Sequence, residues 1–234
     1  MNVLVGTSGY SYKEWKGGFY PPELKDADML RFYAERFSTV EINNTFYRMP
    51  SPELLSRWAG EVPAGFRFVL KAPRRITHEK RLHDVADTTA RLLDVAAALG
   101  EKRGPFLFQL PPYLKKDVPR LRDFLGLLPS GVRAAFEFRD PSWDDDEVSG
   151  TLRSAGAALC LADTDDGETG LRLVPTARWG YLRLRRVDYD DGALRSWADR
   201  IRAQPWEEAF VFFKHEDEAR GPQLADRLIA LLRG

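Results

Sequence analysis

Cysteine is almost absent from this chain: there is one, Cys160, in 234 residues. A single thiol excludes an intramolecular disulfide and any cysteine-rich metal site. Histidine is nearly as scarce. His78, His83 and His215 form no HxH or HExxH pattern and none falls on a predicted strand, so zinc chemistry has no ligand set. Net charge is missing too, because 35 Lys and Arg balance 35 Asp and Glu. That balance removes the general electrostatic footprint of a nucleic-acid or membrane-surface binder and leaves only local basic patches. No run approaches the ~18 apolar residues of a membrane span, and MNVLVGTSGYSY lacks the basic segment and long apolar run of a signal peptide. These absences predict a soluble, cytoplasmic protein that does not enter a membrane. Two motifs are lacking as well. The glycines of GTSG (6–9) do not have dinucleotide-fingerprint spacing, and no GxSxG elbow offers a nucleophilic serine. Cys160 sits mid-strand in AALCLA, where an inert core thiol is expected.

What is present is a repeated alternation. Eight β-rich runs are near-continuously apolar: 2–7, 39–43, 66–72, 105–110, 133–138, 157–162, 180–185 and 209–214. Such runs fit parallel strands buried on both faces. Helical stripes lie between most of them. Residues 26–37 align Leu30, Tyr33, Ala34 and Phe37, and SPELLSRWA (51–59) opens with a Ser51 cap and Pro52. Further stripes are Leu92–Val95–Ala96–Leu99 before Gly100, Leu121–Phe124–Leu125–Leu128 before Pro129, Leu194–Trp197–Ile201, and Leu224–Leu228–Leu231. The pattern predicts an α/β fold, a single TIM-type (β/α)8 barrel domain over residues 1–234. Its weak unit is the irregular connection 163–180, where LRLV is a candidate extra strand.

Barrels of this type carry function at the C-terminal ends of their strands. The polar residues there are Glu41 and Asn43, Lys71, Gln109, Glu137 and Arg139, Asp163, Arg183 and Arg185, and Lys214. Polar groups at the same end of seven consecutive strands predict a pocket, although ion pairs that merely close the barrel mouth would look alike. The connection GYSYKEWKGGFYPPELK (9–25) carries Tyr10, Tyr12 and Trp15, either as a lid that stacks on a ligand or as a packed cap. KAPRRITHEKRL (71–82) concentrates Lys71, Arg74, Arg75, Lys80 and Arg81 with His78, a solvated basic loop or an anion reader. The turns QLPPYL and FRDPSW are proline-stiffened and hold Gln109, Tyr113, Arg139, Asp140 and Trp143. No cofactor is predicted. The one metal arrangement left open is Mg²⁺ on Glu41, Glu137 and Asp163.

GTSGYSYKEWKGGFYP, VEINNTFYRMP, FVLKAPRRITH, LFQLPPYL, FEFRDPSW and YLRLR together resemble the YecE-like family, domain of unknown function 72. The resemblance implies a TIM-type barrel and supplies no activity. Two departures stand out. YLRLRR puts Arg185 where members commonly have histidine, and FFKHEDEARG puts Lys214 and His215 where an asparagine-containing FNN-type run is common. Both favour a more anionic ligand.

The leading expectation is a metal-independent hydrolase, lyase or isomerase acting on a small anionic, possibly phosphorylated, metabolite or sugar derivative. Glu41, Glu137 or Asp163 would be acid or base. Asn43, Tyr47, Lys71, Arg74, Gln109, Arg139, Trp143, Arg183, Arg185 and Lys214 would bind substrate under a lid of Tyr10, Tyr12 and Trp15. The alternatives are a glycoside hydrolase using Glu41 and Glu137, and a non-catalytic anion- or nucleic-acid-binding protein. The zero net charge counts against nucleic acid.

Overall fold

The apolar runs become strands because both of their faces are buried, one against helices and one inside a barrel. The computed structural model describes residues 1–165, 172–214 and 217–234. Strands β1 (Asn2–Ser8), β2 (Thr39–Ile42), β3 (Arg67–Lys71), β4 (Arg103–Gln109), β5 (Ala134–Glu137), β6 (Ala158–Asp163), β7 (Trp179–Leu184) and β8 (Glu208–Phe213) pair in parallel with their sequence neighbours. β8 pairs with β1 from Asn2↔Glu208 to Thr7↔Phe213, which closes the sheet and removes its edges. The expected TIM-type barrel is the observed architecture.

Helices α1 (Met29–Ala34), α2 (Pro52–Glu61), α3 (Ala86–Ala96), α4 (Val118–Leu125), α5 (Asp146–Ser154), α6 (Asp191–Arg202) and α7 (Arg220–Arg233) occupy the connections and the C-terminus. Several begin where a short polar side chain relieves the unpaired first-turn N–H groups. Ser51 accepts from the Leu54 N–H at 3.3 Å, Asp117 from Arg120 at 3.0 Å and Asp190 from Ala193 at 2.7 Å. No helical stripe was singled out between β5 and β6. A helix forms there nonetheless, because Val148 and Leu152, one turn apart, are both buried. Between β6 and β7 no helix occurs among the described residues, and 172–174 form no strand. Leu171 of the suggested extra strand, and His215, lie outside the described residues.

Strand alternation sorts the interior into layers. Trp179, Phe210, Leu4, Val69, Leu107, Ala135, Ala158, Cys160, Tyr181 and Phe212 make one buried cluster inside the barrel. The opposite faces of the same strands, such as Val5, Phe68, Phe106, Leu182 and Val211, join the larger cluster with the helices. At the N-terminal end Arg133 pairs with Glu208 and lies over the Trp179 and Phe210 rings, so that end is plugged. Burial pushes the Cys160 thiol well up, which suits an inert core residue. Gly6 has a packing role: a Cβ there would fall 2.1 Å from the Thr39 carbonyl oxygen of the neighbouring strand.

Candidate functional site

Register decides which strand-end residues meet. Ser8 lies beside Glu41 across the β1–β2 pair, Gln109 beside Glu137, and Ala162 beside Arg183. With Lys71 these form the top inward layer of the barrel. At its centre is Arg183, only 3% exposed. Its Nη2 donates to Glu41 Oε1 at 2.9 Å and its Nη1 to Glu137 Oε2 at 2.6 Å, with a longer 3.4 Å contact to Gln109 Oε1. Glu41 also accepts from Ser8 Oγ at 2.7 Å, Tyr181 Oη at 2.6 Å and Asn43 Nδ2 at 3.0 Å. Glu137 accepts from Arg139 Nε at 3.0 Å. Two buried carboxylates therefore share one guanidinium, and the oxygens facing it are hydrogen-bonded.

These contacts fix the ionisation states. Burial pushes the Glu41 carboxyl up, but Arg183, Tyr181, Ser8 and Asn43 more than reverse it, so it is held below the usual range. Burial likewise works against ionised Glu137. Arg183 and Arg139 overcome it and bring that carboxyl down from 4.5 to about 2. Because its folded value lies below its ordinary one, Glu137 stabilises the fold above about pH 4.5 and loses that contribution as pH falls toward 2. At about 1.4 kcal/mol per pH unit the linked stability is roughly 3 kcal/mol. Glu137→Gln is expected to remove about one proton's worth of slope from the acid limb of the stability curve. Urea midpoints measured from pH 5 to pH 2.5 check this, and an unchanged slope would reject it.

Around the bridge lie further cations. Lys71 is half-buried, and its Nζ sits 4.3 Å from the Phe46 ring centroid. Burial and the nearby Arg183 bring its amine down from 10.5 to about 8. Arg185 continues the inward face of β7. Its Nε is buried without a hydrogen-bond partner, as is the Nε of Arg183. Lys214 follows β8 and is also half-buried. His78 packs edge-on against Phe46 at 4.9 Å, the ring that Lys71 also contacts. Burial, then Lys71, Arg139 and Arg74, hold its imidazole below 6.5, so it is neutral at pH 7.

Other expected site residues are placed elsewhere. Asp163 lies beside Leu184, on the outward face of β6, where it accepts from Arg186 Nε at 2.8 Å and Tyr189 Oη at 2.9 Å. The inward residue is Ala162, so Asp163 is not part of the carboxylate pair. The same geometry breaks up the Mg²⁺ trio: Arg183 fills the space between Glu41 and Glu137, and Asp163 faces away. Among the described residues no three His, Cys, Asp or Glu side chains are grouped to hold a metal. Trp143 is buried, stacks on Phe138 at 4.4 Å and donates its indole N–H to the Leu114 carbonyl at 2.7 Å, which commits it to packing. Trp15 is 1% exposed in an aromatic cluster with Tyr12, Phe19 and Tyr20, and its turn packs near the one preceding α7. The connection at Trp15 is thus a packed cap, while Tyr10 and Tyr12 remain half-buried. Arg74 is exposed and pairs with Glu79 at 3.4 Å, and Tyr47 is 79% exposed at the rim. A separate groove of about 470 Å³ runs between the segment following β3 and α4, lined by Leu82, Val85 and Phe124. None of the mouth residues contributes to it.

Ser8, Phe46, His78 and Tyr181 were outside the expected set. Tyr181 was detectable, since it precedes Arg183 by two residues on one strand face. Ser8 was too, being the last residue of β1. His78 was visible in the basic loop, but its place beside Phe46 was not, because the π-helical turn Arg75–Glu79 is what brings it there.

A closed parallel barrel of eight strands, with a buried guanidinium–carboxylate bridge at its C-terminal mouth, is a TIM-type barrel protein. The chain belongs to the family described as "Protein of unknown function DUF72", which matches residues 4–234. It spans about half the length of the curated relatives it matches. UPF0759 protein YecE of Escherichia coli K12 is 33% identical over 142 residues, 60% of this chain and 50% of that protein. UPF0759 protein YunF of Bacillus subtilis 168 is 27% identical over 153 residues, 60% of this chain and 52% of that one. A DUF72 family crystal structure from Thermotoga maritima MSB8 superposes over 100% of both chains with a TM-score of 0.83 at 24% identity. One from Enterococcus faecalis V583 covers 99% of this chain and 96% of its own, with a TM-score of 0.80 at 18% identity. At those identities the likeness concerns the fold. No helix among the described residues is long and apolar enough to cross a membrane.

Proposed function

We propose that the barrel mouth binds a small anionic metabolite and acts on it by proton transfer. The observation that carries this reading is the pair of buried guanidinium N–H groups, on Arg183 and Arg185, left without an acceptor among the described residues. Buried donors are rarely orphaned in native proteins, and a carboxylate or phosphate oxygen is the acceptor their charge favours. Charge agrees. Arg183, Arg139, Arg185 and Lys71 surround only two carboxylates, Glu41 and Glu137, and both of those are bound to Arg183.

The glutamates do not suit acid–base work at neutral pH. Both are held ionised, and Glu137 at about 2 is a feeble base. Glycoside hydrolysis by this pair needs one protonated carboxyl, which the Arg183 bridge opposes. Lys71 at about 8 and neutral His78 are better matched to neutral pH.

A thermal-shift series tests the reading. Phosphate, 2-oxo acids and sugar phosphates at about 100 times their dissociation constants should add ~2.7 kcal/mol, roughly 5–10 °C in Tm. Arg185→Met, which breaks no ion pair among the described residues, should lose most of that shift and keep its own Tm. Equal shifts with neutral sugars, or an undiminished shift in the variant, would count against an anion site.

A further inference from the structure

We propose that Lys71 is an amine nucleophile that forms a Schiff base with a small carbonyl compound bearing a carboxylate or phosphate. This deepens the anion-site reading and rests on it. Lys71 ends β3 at the C-terminal mouth, on the inward face beside the bridge. Among the described residues neither a hydrogen bond nor an ion pair engages its Nζ, which lies over the face of Phe46. Glu41 and Glu137, the carboxylates near enough to influence it, are both held by Arg183. A lysine meant only as a counter-ion would be expected to pair with one of them. Instead Lys71 is half-buried and open to the mouth, among like charges from Arg183 and Arg139, and shares the Phe46 ring with His78, whose imidazole also feels Arg74.

Desolvation next to another cation is how a lysine becomes nucleophilic at neutral pH. With the amine at about 8, roughly a tenth of Lys71 is uncharged at pH 7. An ordinary lysine would be uncharged some 300-fold less often.

The step balances without a further reactant. The Nζ lone pair attacks the carbonyl carbon and the C=O π bond opens to a carbinolamine. The carbinolamine oxygen then leaves as water, and a C=N bond remains. One amine proton and one proton from the medium accompany that oxygen, and the iminium nitrogen keeps the other amine proton. His78, neutral and on the same aromatic ring as Lys71, is the nearby group able to take and return the proton. Arg185 and Arg139 would hold the anionic end, and the positive iminium lies close to Glu41 and Glu137.

Trapping tests this. The full chain is incubated separately with pyruvate and with dihydroxyacetone phosphate, sodium cyanoborohydride is added, and intact and peptide masses are read. The expected product is one adduct per chain on the Lys71 peptide, with a gain equal to the ligand less one oxygen. It should be absent in Lys71→Arg and at least tenfold slower in Arg185→Met. Which probe reacts distinguishes carboxylate from phosphate recognition. As a second measurement, competitive acetylation from pH 6 to pH 11 should give Lys71 a midpoint near 8, apart from the other lysines. No adduct with either probe, adducts spread over surface lysines, or a Lys71 midpoint near 10.5 would each overturn the proposal. Should the thermal shifts persist in that case, the anion site stands and Lys71 is only its anchor. If they vanish too, both readings fall.

Discussion

Arg183→Met is expected to destabilise the barrel by about 3–5 kcal/mol at pH 7 and to reverse its response to acid. The magnitude follows from what is left behind. In the wild type one guanidinium neutralises Glu41 and Glu137, both essentially without solvent exposure. Replacing a whole buried ion network by apolar groups can be neutral, but removing one partner strands the others as uncompensated charges. Here a single substitution strands Glu41 and leaves Glu137 with only the partly exposed Arg139. Against a total stability of about 5–15 kcal/mol for a protein of this kind, the variant is marginal. The acid response changes sign for the same reason. With Arg183 present, Glu137 is held at about 2 and Glu41 below its usual range, so acid weakens the wild type as they take up protons. Without it, burial is the dominant influence at Glu41 and raises its carboxyl, while Glu137, still paired with Arg139, rises from its depressed value. The folded state then binds protons more readily than the unfolded one, and stability rises as pH falls from 7 toward 5. Urea unfolding at pH 7 and pH 5 reads both effects. Arg183→Lys keeps the charge but loses the two-sided fork, and an intermediate loss is expected. A Met variant within 1 kcal/mol of wild type, with an unchanged acid limb, would mean that the bridge is not what holds the mouth.

That bridge also shows where reading the sequence succeeds and fails. The eight strands were legible because double-sided burial writes itself as continuous apolar runs, and their predicted ends fall within a residue or two of those observed. The same continuity hides parity. AALCLAD offers no alternation to say whether Ala162 or Asp163 points inward, and only pairing with β7 sets Ala162 beside Arg183. Glu41, Glu137 and Arg183 were visible as strand-end polar groups. That they form one network was not, because it joins residues 142 and 46 positions apart. Loop aromatics were ambiguous for a different reason. A tryptophan that stacks on a ligand and one that seals a barrel have the same sequence signature, and Trp15 and Trp143 prove to be of the second kind. Lys71 was visible as a strand-end residue, but its surroundings were not. Phe46, His78 and Arg183, which set the environment of its amine, reach it from three other segments.

Lys71→Met should act in the opposite direction to Arg183→Met and stabilise the fold by ~1–3 kcal/mol at pH 7, raising Tm by roughly 2–10 °C. The wild-type amine lies at about 8 instead of 10.5, so the folded state disfavours its charged form. That penalty is fully present below pH 8 and fades as pH rises toward 10.5, because there the unfolded chain is the one that keeps the proton. The variant's advantage should therefore be largest at neutral pH and close to nil by about pH 10.5. Thioether and aromatic ring also pack well, so Phe46 keeps a partner. Partial exposure and the cation–π contact both soften the effect, which is why the lower part of the range is included. Melting curves at pH 7 and pH 10.5 measure it. If the variant is no more stable at pH 7, or its margin persists at high pH, Lys71 is not under electrostatic strain and the nucleophile proposal loses its main physical support. If the margin behaves as expected, this position is one where the barrel forgoes stability to keep a partly desolvated amine beside Arg183. A fold keeps a group of that kind where it has work to do.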